Sequence, residues 1–303
     1  MWPKIQRAIA QSLPHLPRPI ISRVARRYIA GSSLTDAITT AKDLATRGFR
    51  TTIDFLGEDT QRPEQANEVV AEYLRLLAAI GEFNLPGGVS VKLTQLGLRF
   101  DPDQCVHHLK TIVNQASKVG RFVRVDMEDS SVVGTTLDIV RSLRKSGMLN
   151  VGSVLQAYLR RTADDVDTYL QTGGDVRFCK GIYRESEELA FQNRNEITQN
   201  FIIQTQRLLE AGVYVGIATH DTVIISAMEQ YLQQRGVDKN RYEFQALLGV
   251  PITARLKRLV SDGHKVRIYI PYGTHWYAYS LRRLKENPDV VGAVLRSMVR
   301  WDR

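Results

Sequence analysis

Short runs rich in β-branched residues alternate with longer amphipathic stretches along most of the chain. An apolar period of two residues is typical of strands, and a spacing of three to four residues indicates helices that face a core. Strands are predicted at 51–56, 89–94, 122–127, 151–158, 176–183, 213–219, 242–248 and 265–270. The segments between them, such as EQANEVVAEYLRLLAAI, have helical periodicity. The pattern therefore predicts eight consecutive strand–helix units.

This alternation of strands and helices limits the fold class. Strands separated by helices pair in parallel through right-handed crossovers, and eight such units in about 250 residues match a closed (β/α)8 barrel of the TIM type. A doubly wound open sheet is the alternative, but it usually has a glycine-rich first turn, and the sequence contains neither GxGxxG nor a Walker A motif. We predict the barrel over residues 49–303, preceded by a helical arm over residues 1–48.

Charge and cysteine content restrict the surroundings of the protein. The net charge is +9, and residues 1–35 carry six lysines or arginines and no acid. Such an arm can contact an anionic membrane surface or nucleic acid, or resemble a transit peptide. We favour peripheral membrane contact and expect no nucleic acid, and no apolar run is long enough to span a bilayer. Cys105 and Cys179 form no CxxC motif, which fits a reducing compartment such as the cytoplasm.

The segment over residues 263–288 is predicted to form a strand, a turn and then a helix. Its helix carries Tyr279, Arg282, Arg283 and Glu286. One interpretation is a solvated helix face with an Arg–Glu pair four residues apart. The other is a fork for a small carboxylate, because paired arginines match the geometry of a carboxylate.

Polar residues collect where the other predicted strands end, which is the end that holds the active site in barrels of this kind. Each of them alone is more typical of a surface or capping residue. Together they predict a cationic site for a phosphate-bearing cofactor, a carboxylate substrate, or both. No HxH or HExxH spacing supports a metal, and we expect none. The set comprises Lys92, Asp126, Gln156, Arg177, Lys180, Thr219, His220, Gln245 and Tyr269.

Seven segments resemble, in order, the proline dehydrogenase family of the compact monofunctional bacterial type. The most specific is RIYIPYGTHWYAYSLRRLKENP, and the others are VSVKLTQLG, VRVDMEDS, VLQAYLRRT, VRFCKGIYRE, GIATHD and YEFQALLGV. The resemblance implies a distorted (β/α)8 barrel that binds FAD non-covalently. It also implies oxidation of L-proline to Δ1-pyrroline-5-carboxylate, the first step of proline catabolism to glutamate, with electrons passed to a membrane quinone.

The same resemblance implies roles for individual side chains. The substrate carboxylate would be held by Lys92, Arg282 and Arg283, with Asp126 and Glu286 pairing with these cations. Tyr183, Leu247, Tyr269 and Tyr279 would form the wall around the substrate ring. FAD would be contacted by Gln156, Arg177, Cys179, Lys180, Thr219 and His220. Hydride transfer from proline C5 to flavin N5 depends on positioning, so no dedicated acid–base is expected.

Two positions depart from the family pattern, and other functions are also open. Ile182 stands where the family usually has alanine, and Cys179 where valine is usual. A protruding Ile182 would narrow the pocket, which leaves open whether the substrate is L-proline or a related cyclic or N-substituted amino acid. A second hypothesis is a barrel enzyme in which Lys180 or Lys92 forms a Schiff base. A third is a non-enzymatic protein that binds nucleic acid or membrane through its basic arm.

Overall fold

The computed structural model describes residues 27–277, 279 and 280. Within these residues eight parallel strands form one closed barrel, in which β8 pairs with β1. The predicted (β/α)8 architecture is confirmed. The strands are β1 (Arg50–Phe55), β2 (Gly87–Val91), β3 (Val123–Val125), β4 (Val151–Gln156), β5 (Asp175–Cys179), β6 (Tyr214–Ala218), β7 (Tyr242–Leu247) and β8 (Val266–Tyr272).

Helices surround the barrel, and several begin where a side chain caps the first turn. Asp101, Asp129, Asn193 and Asp221 each accept a hydrogen bond from a backbone N–H at the start of a helix. No helix in the described part of the chain is long and apolar enough to cross a bilayer. The helices are α1 (Leu34–Thr46), α2 (Pro63–Glu82), α3 (Pro102–Lys118), α4 (Ser130–Lys145), α5 (Thr162–Thr172), α6 (Arg194–Glu210), α7 (Thr222–Gln234) and α8 (Thr253–Ser261).

Helix α1 packs against β8 and β1 and therefore covers the seam where the barrel closes. Ser33 caps it by accepting from Asp36 N while Asp36 accepts from Ser33 N. The chain before α1 is attached to the end of β8, since Ala30 N donates to Pro271 O at 2.9 Å. Residues 1–26 of the predicted arm lie outside the described residues.

The two faces of the strands differ in polarity. Aliphatic and aromatic residues such as Ile53, Val89 and Phe178 are fully buried in the hydrophobic core. The alternate positions carry polar side chains that contact one another across the barrel, whereas branched apolar residues usually fill such an interior. The polar set comprises Thr52, Asp54, Ser90, Arg124, Arg177, Glu243, Gln245, Arg267 and Tyr269, together with Lys92 and Asp126 just after their strands.

Several strands end earlier than the pattern predicts, and the candidate site residues follow them directly. β2 ends at Val91, so Lys92 is the first residue of the following loop; Asp126 and Lys180 follow β3 and β5 in the same way. Loop residues at the carboxyl end of a barrel can turn toward its axis while the strands stay rigid.

Gly216 on β6 makes room for one of the interior polar side chains. A Cβ at this position would lie 2.3 Å from Gln245 Nε2, which is well inside van der Waals contact. The glycine therefore allows a buried amide to lie across the strand, a role that glycine in a strand often has. Every larger residue at 216 would compete with Gln245 for space.

Candidate active site

Lys92 and Asp54 form a buried ion pair at the carboxyl end of the barrel. Lys92 Nζ lies 3.0 Å from Asp54 Oδ1, and the two residues are 8% and 1% exposed. Burial alone would lower the pKa of Lys92, but the nearby Asp54 and Asp126 carboxylates outweigh it and raise that pKa. Lys92 is therefore an ammonium at neutral pH, which suits contact with an anion and opposes a Schiff-base role.

Asp126 is held by three side chains from three strands. Ser90 Oγ donates to Asp126 Oδ1 at 2.7 Å, and Tyr269 OH donates to Oδ2 at 2.8 Å. The Arg177 guanidinium forms a salt bridge with Oδ1. Because both carboxylate oxygens are bonded in this way, the side chain of Asp126 is fixed relative to the barrel axis.

These contacts revise part of the pairing expected from the sequence. Asp126 was expected to pair with the cations Lys92, Arg282 and Arg283; Lys92 hydrogen-bonds to Asp54 instead, and Asp126 forms its salt bridge with Arg177, while the two arginines lie outside the described residues. Asp54 is the residue that changes the pairing, because it lies on β1 and points into the barrel from the strand next to Lys92. Arg177, expected at the cofactor, thus directly contacts a residue expected at the substrate.

A chain of hydrogen bonds continues from Arg177 toward the other end of the barrel. Arg177 Nε donates to Gln245 Oε1 at 2.6 Å, and Gln245 Nε2 donates to Glu243 Oε1 at 2.6 Å. Glu243 in turn pairs with Arg267. Burial would raise the pKa of Glu243, but the adjacent Arg267 overcomes it and lowers that pKa to about 2. Glu243 is therefore a carboxylate across the physiological pH range.

A second polar cluster lies where β5 and β6 end. Lys180, just after β5, forms a salt bridge with Asp221, which caps α7 by accepting from Val223 N at 2.9 Å. Thr219 Oγ1 accepts from Asp221 N at 3.1 Å. Partial burial raises the pKa of Asp221, but the hydrogen bonds from Lys180 and Val223 N outweigh it, so the net shift is downward. Lys180 is thus paired with a carboxylate, as Lys92 is.

Several buried polar atoms at this end have no protein partner among the described residues. They include Gln95 Oε1, Gln156 Oε1 and Tyr158 OH. Gln156 uses its amide nitrogen on Glu128 O at 3.3 Å, so only its oxygen remains unbonded. Buried polar groups are normally hydrogen-bonded, and such exceptions at the mouth of a barrel suggest a place for a ligand or ordered water.

The remaining predicted site residues lie around the same end of the barrel. Leu247 ends β7 and is half-buried, and Tyr279 is 6% exposed. Tyr183 lies in the loop after β5, and its hydroxyl oxygen is 3.5 Å from Glu58 Oε2. Burial raises the pKa of the Cys179 thiol to about 11, so it is protonated at neutral pH. The predicted residues Arg282, Arg283 and Glu286 lie outside the described residues.

Sequence reasoning missed the polar residues inside the strands themselves. Asp54, Ser90, Glu243 and Arg267 were not singled out, although all four take part in the interior network. The available signal was their position, because each stands two residues from another inward-facing position of its strand, between apolar residues such as Ile53, Val89 and Phe244. A charged residue at an inward position of a barrel strand indicates a partner on a neighbouring strand.

A (β/α)8 barrel with fixed charges at its carboxyl end defines a class: an enzyme with its active site at that end and an affinity for small anions. Comparison with known proteins is consistent with this class. The family model described as proline dehydrogenase matches residues 37–296.

Similar proteins extend the comparison to almost the whole chain. Proline dehydrogenase 2 of Bacillus subtilis (strain 168) is 36% identical over 280 residues, covering 92% of both chains. Proline dehydrogenase of Deinococcus radiodurans is 32% identical over 94% of this chain and 93% of its own. The chain belongs to the proline dehydrogenase family, and it is an oxidoreductase that acts on proline.

Solved structures have the same barrel. The crystal structure of proline utilization A (PutA) from Bdellovibrio bacteriovorus superposes with a TM-score of 0.81 at 25% sequence identity. The match covers 88% of this chain but 33% of that longer one. The similarity therefore concerns one part of PutA, and it supports the barrel described above.

Proposed function

We propose that the protein oxidises L-proline to Δ1-pyrroline-5-carboxylate with FAD as the hydride acceptor. The observation that supports this most directly is the pair of buried salt bridges, Lys92–Asp54 and Arg177–Asp126, joined to Tyr269 at the carboxyl end of the barrel. These bonds hold an ammonium and a guanidinium in position before any ligand enters. Such preorganised charges suit a small substrate with one carboxylate.

Substrate binding in this proposal combines the described residues with three carried over from the family. Lys92 holds the substrate carboxylate together with Arg282 and Arg283, while Asp126 and Glu286 orient the cations. The ring then lies against an apolar and aromatic wall, to which Leu247 and Tyr269 contribute. A cationic surround also lowers the pKa of the substrate ammonium, which favours the neutral amine that can release a hydride.

The residues proposed for FAD suit that cofactor chemically. Gln156 Oε1 and Tyr158 OH are buried without a protein partner in the described chain, so they are available to ligand donors and acceptors. The remaining contacts assigned to the cofactor are Arg177, Cys179, Lys180, Thr219 and His220. Lys180 and Arg177 carry positive charge, which suits a phosphate-bearing cofactor and negative charge on its reduced ring. When bound, FAD supplies the hydride acceptor.

The first experiment tests the cofactor and substrate together. Purified protein should be yellow, and anaerobic L-proline should bleach its flavin absorbance. Arg282→Met and Arg283→Met should each raise KM for proline by about a hundredfold, since losing the partner of a bound carboxylate costs roughly 3 kcal/mol. Arg141→Met, which removes an exposed arginine on α4, should leave KM unchanged. A colourless preparation that neither binds added FAD nor oxidises proline would contradict the proposal.

The electron acceptor and location are further parts of the proposal. We infer a cytoplasmic enzyme that passes electrons to a membrane quinone and contacts the inner membrane face through residues 1–35. The six basic residues of that segment suit an anionic lipid surface. Deleting residues 1–26 should abolish co-sedimentation with anionic liposomes while preserving turnover with a soluble dye. Undiminished co-sedimentation would remove the membrane role.

A related substrate is the second candidate, because Ile182 departs from the family pattern at a position near the pocket. Ile182 is 39% exposed in the loop after β5, so its side chain is not sequestered in the core. Comparing kcat/KM for L-proline, 4-hydroxyproline and N-methylproline in the wild type and in Ile182→Ala distinguishes the two. If Ile182 restricts the pocket, the alanine variant should gain activity on the bulkier substrates.

Borohydride trapping tests the Schiff-base hypothesis, which the salt bridges of Lys92 and Lys180 to carboxylates oppose.

A further inference from the structure

A cavity of about 260 Å³ opens at the amino end of the barrel, opposite the proposed active site. Arg50, the first residue of β1, and Lys265, directly before β8, line its outer part and are partly exposed. Arg177 and Gln245 line its inner part and are 7% and 5% exposed. At roughly 30 Å³ per liquid water, this amino-end cavity has room for a small hydrated ligand.

Positive charge exceeds negative charge along the walls of this cavity. Five cationic side chains line it, namely Arg50, Arg124, Arg177, Lys265 and Arg267, against the two carboxylates Asp175 and Glu243. Three of the cations have carboxylate partners: Arg124 pairs with Asp175, Arg267 with Glu243, and Arg177 with Asp126. Among the described residues, Arg50 and Lys265 form no salt bridge, so two positive charges remain at the mouth.

The positive charges of Arg50 and Lys265 repel each other. Burial and then the proximity of Arg50 lower the pKa of Lys265, although Glu243 and Asp238 act in the opposite direction. Lys265 Nζ donates a long hydrogen bond of 3.4 Å to Asn240 O and lies 6.0 Å from the centroid of the Tyr214 ring. Two like charges beside a cavity are a destabilising arrangement in the absence of a counter-ion, and an anion between them would relieve the repulsion.

We propose that the amino-end cavity is a binding site for a compact dianion, of the phosphate or dicarboxylate class, held between Arg50 and Lys265. Two unpaired cations match two negative charges, and charge-assisted hydrogen bonds to phosphate or carboxylate oxygens are the strongest that such side chains form. Glu243 and Asp175 form their salt bridges with Arg267 and Arg124, so neither carboxylate is in a salt bridge with Arg50 or Lys265. Arg177 lines the inner part of this cavity and also contacts Asp126 at the proposed proline site, whereas Arg50 and Lys265 belong to the cavity alone.

Binding can be tested with inorganic phosphate and with succinate on the purified full-length flavoprotein. Each probe is titrated at constant ionic strength, balanced with sodium chloride, and followed by calorimetry and by the thermal midpoint. The wild type should bind at least one probe and show a concentration-dependent rise in midpoint. Arg50→Gln/Lys265→Gln should weaken this binding by roughly tenfold to a hundredfold, the effect of losing charged hydrogen-bond partners.

A matched variant separates this site from general electrostatics. Lys118→Gln/Lys145→Gln also removes two positive charges, from exposed positions at the ends of α3 and α4 outside the cavity lining. It should bind both probes as the wild type does, and the charge-preserving Arg50→Lys should retain binding. Absence of binding in the wild type, or equal weakening in the two double variants, would overturn the proposal. If the probes bind at the proposed proline site instead, their binding should persist in Arg50→Gln/Lys265→Gln, and this result would also overturn the proposal.

Discussion

Near the amino end of the barrel, Arg124 donates to Asp175 and Ser153 O, and Arg267 donates to Glu243 and Thr51 O. Near the carboxyl end, the oxygen of the Gln156 amide and the hydroxyl of Tyr158 are buried but have no hydrogen-bond partner among the residues that the structure describes. Both regions are polar, and the difference lies in whether the protein itself completes the hydrogen bonds.

This difference separates polar groups that support the fold from those that serve a ligand. When a buried charge has a full set of partners, removing one partner leaves it uncompensated and strongly destabilises the fold. A buried hydroxyl with no partner already costs stability, so removing it should be harmless to the empty protein. Substitutions at the two ends should therefore change stability in opposite directions.

The largest effect on stability is expected for Glu243→Gln at the amino end. It leaves Arg267 without its carboxylate in a buried site, which should lower the free energy of unfolding by about 3 kcal/mol. Glu210→Gln, in the exposed pair with Arg235, is the control and should cost under about 1 kcal/mol. Urea unfolding of both variants at neutral pH measures the two losses.

The stability difference between the wild type and Glu243→Gln should also depend on pH, in a direction that the pKa of Glu243 fixes. The pKa of Glu243 is lowered from 4.5 to about 2 in the folded state, so its contribution is complete above about pH 4.5 and is lost as pH falls toward 2. The stability difference between wild type and Glu243→Gln should therefore shrink between about pH 5 and pH 3. A difference that stays constant over this range would show that charge pairing is not its cause.

The second-largest loss of stability is expected for Gly216→Ala, which should affect both ends of the barrel. Its Cβ would displace Gln245, which bridges Arg177 and Glu243, so we expect a loss of about 1–3 kcal/mol together with reduced proline oxidation. Gly134→Ala, inside α4, meets only Arg161 at 3.6 Å and should be neutral or stabilising because alanine favours helix. Equal stabilities of the two alanine variants would contradict the close packing inferred at β6.

Two tyrosine substitutions compare a buried hydroxyl that has a protein partner with one that has none among the described residues, with an expected effect of about 1 kcal/mol each. Tyr158→Phe removes the unbonded hydroxyl and should stabilise the flavin-free protein while weakening flavin binding. Tyr73→Phe removes a hydroxyl that donates to Ser90 O at 2.6 Å and should destabilise the protein. Thermal unfolding with and without FAD measures both. A loss of stability in flavin-free Tyr158→Phe would mean that its hydroxyl has a structural role.

Lys180→Gln should have the smallest effect on stability. The Lys180–Asp221 pair is about one-third exposed, and such pairs contribute under about 1 kcal/mol. If Lys180 contacts the cofactor as proposed, flavin affinity should nevertheless fall by about tenfold, as for a lost charge-assisted hydrogen bond. Lys118→Gln, at the end of α3, is the control and should change neither quantity. Flavin titration followed by fluorescence distinguishes the two variants.

The sequence predicts the barrel and the end at which the candidate site residues collect, but not the pairing of polar side chains inside the barrel. Strand alternation is local, and Lys92 and Asp126 stand out because they directly follow β-branched runs. The Lys92–Asp54 pair depends on the register of β1 against β2, in which Asp54 pairs with Ser90. Register follows from barrel closure and strand tilt, which are properties of all eight strands together. Asp54 was therefore missed although its neighbours were found.

Helix α1 has a consequence for how the protein is made. It is synthesised first among the described helices, yet it packs on β8, whose last residue is Tyr272. Its apolar side, with Ile38 and Leu44, can pack on β1 early but meets β8 only after residue 272 has been synthesised. Contacts between residues so far apart in sequence form slowly. Closure of the barrel beneath α1 is thus a late event in folding, and until then part of this apolar side stays in contact with water.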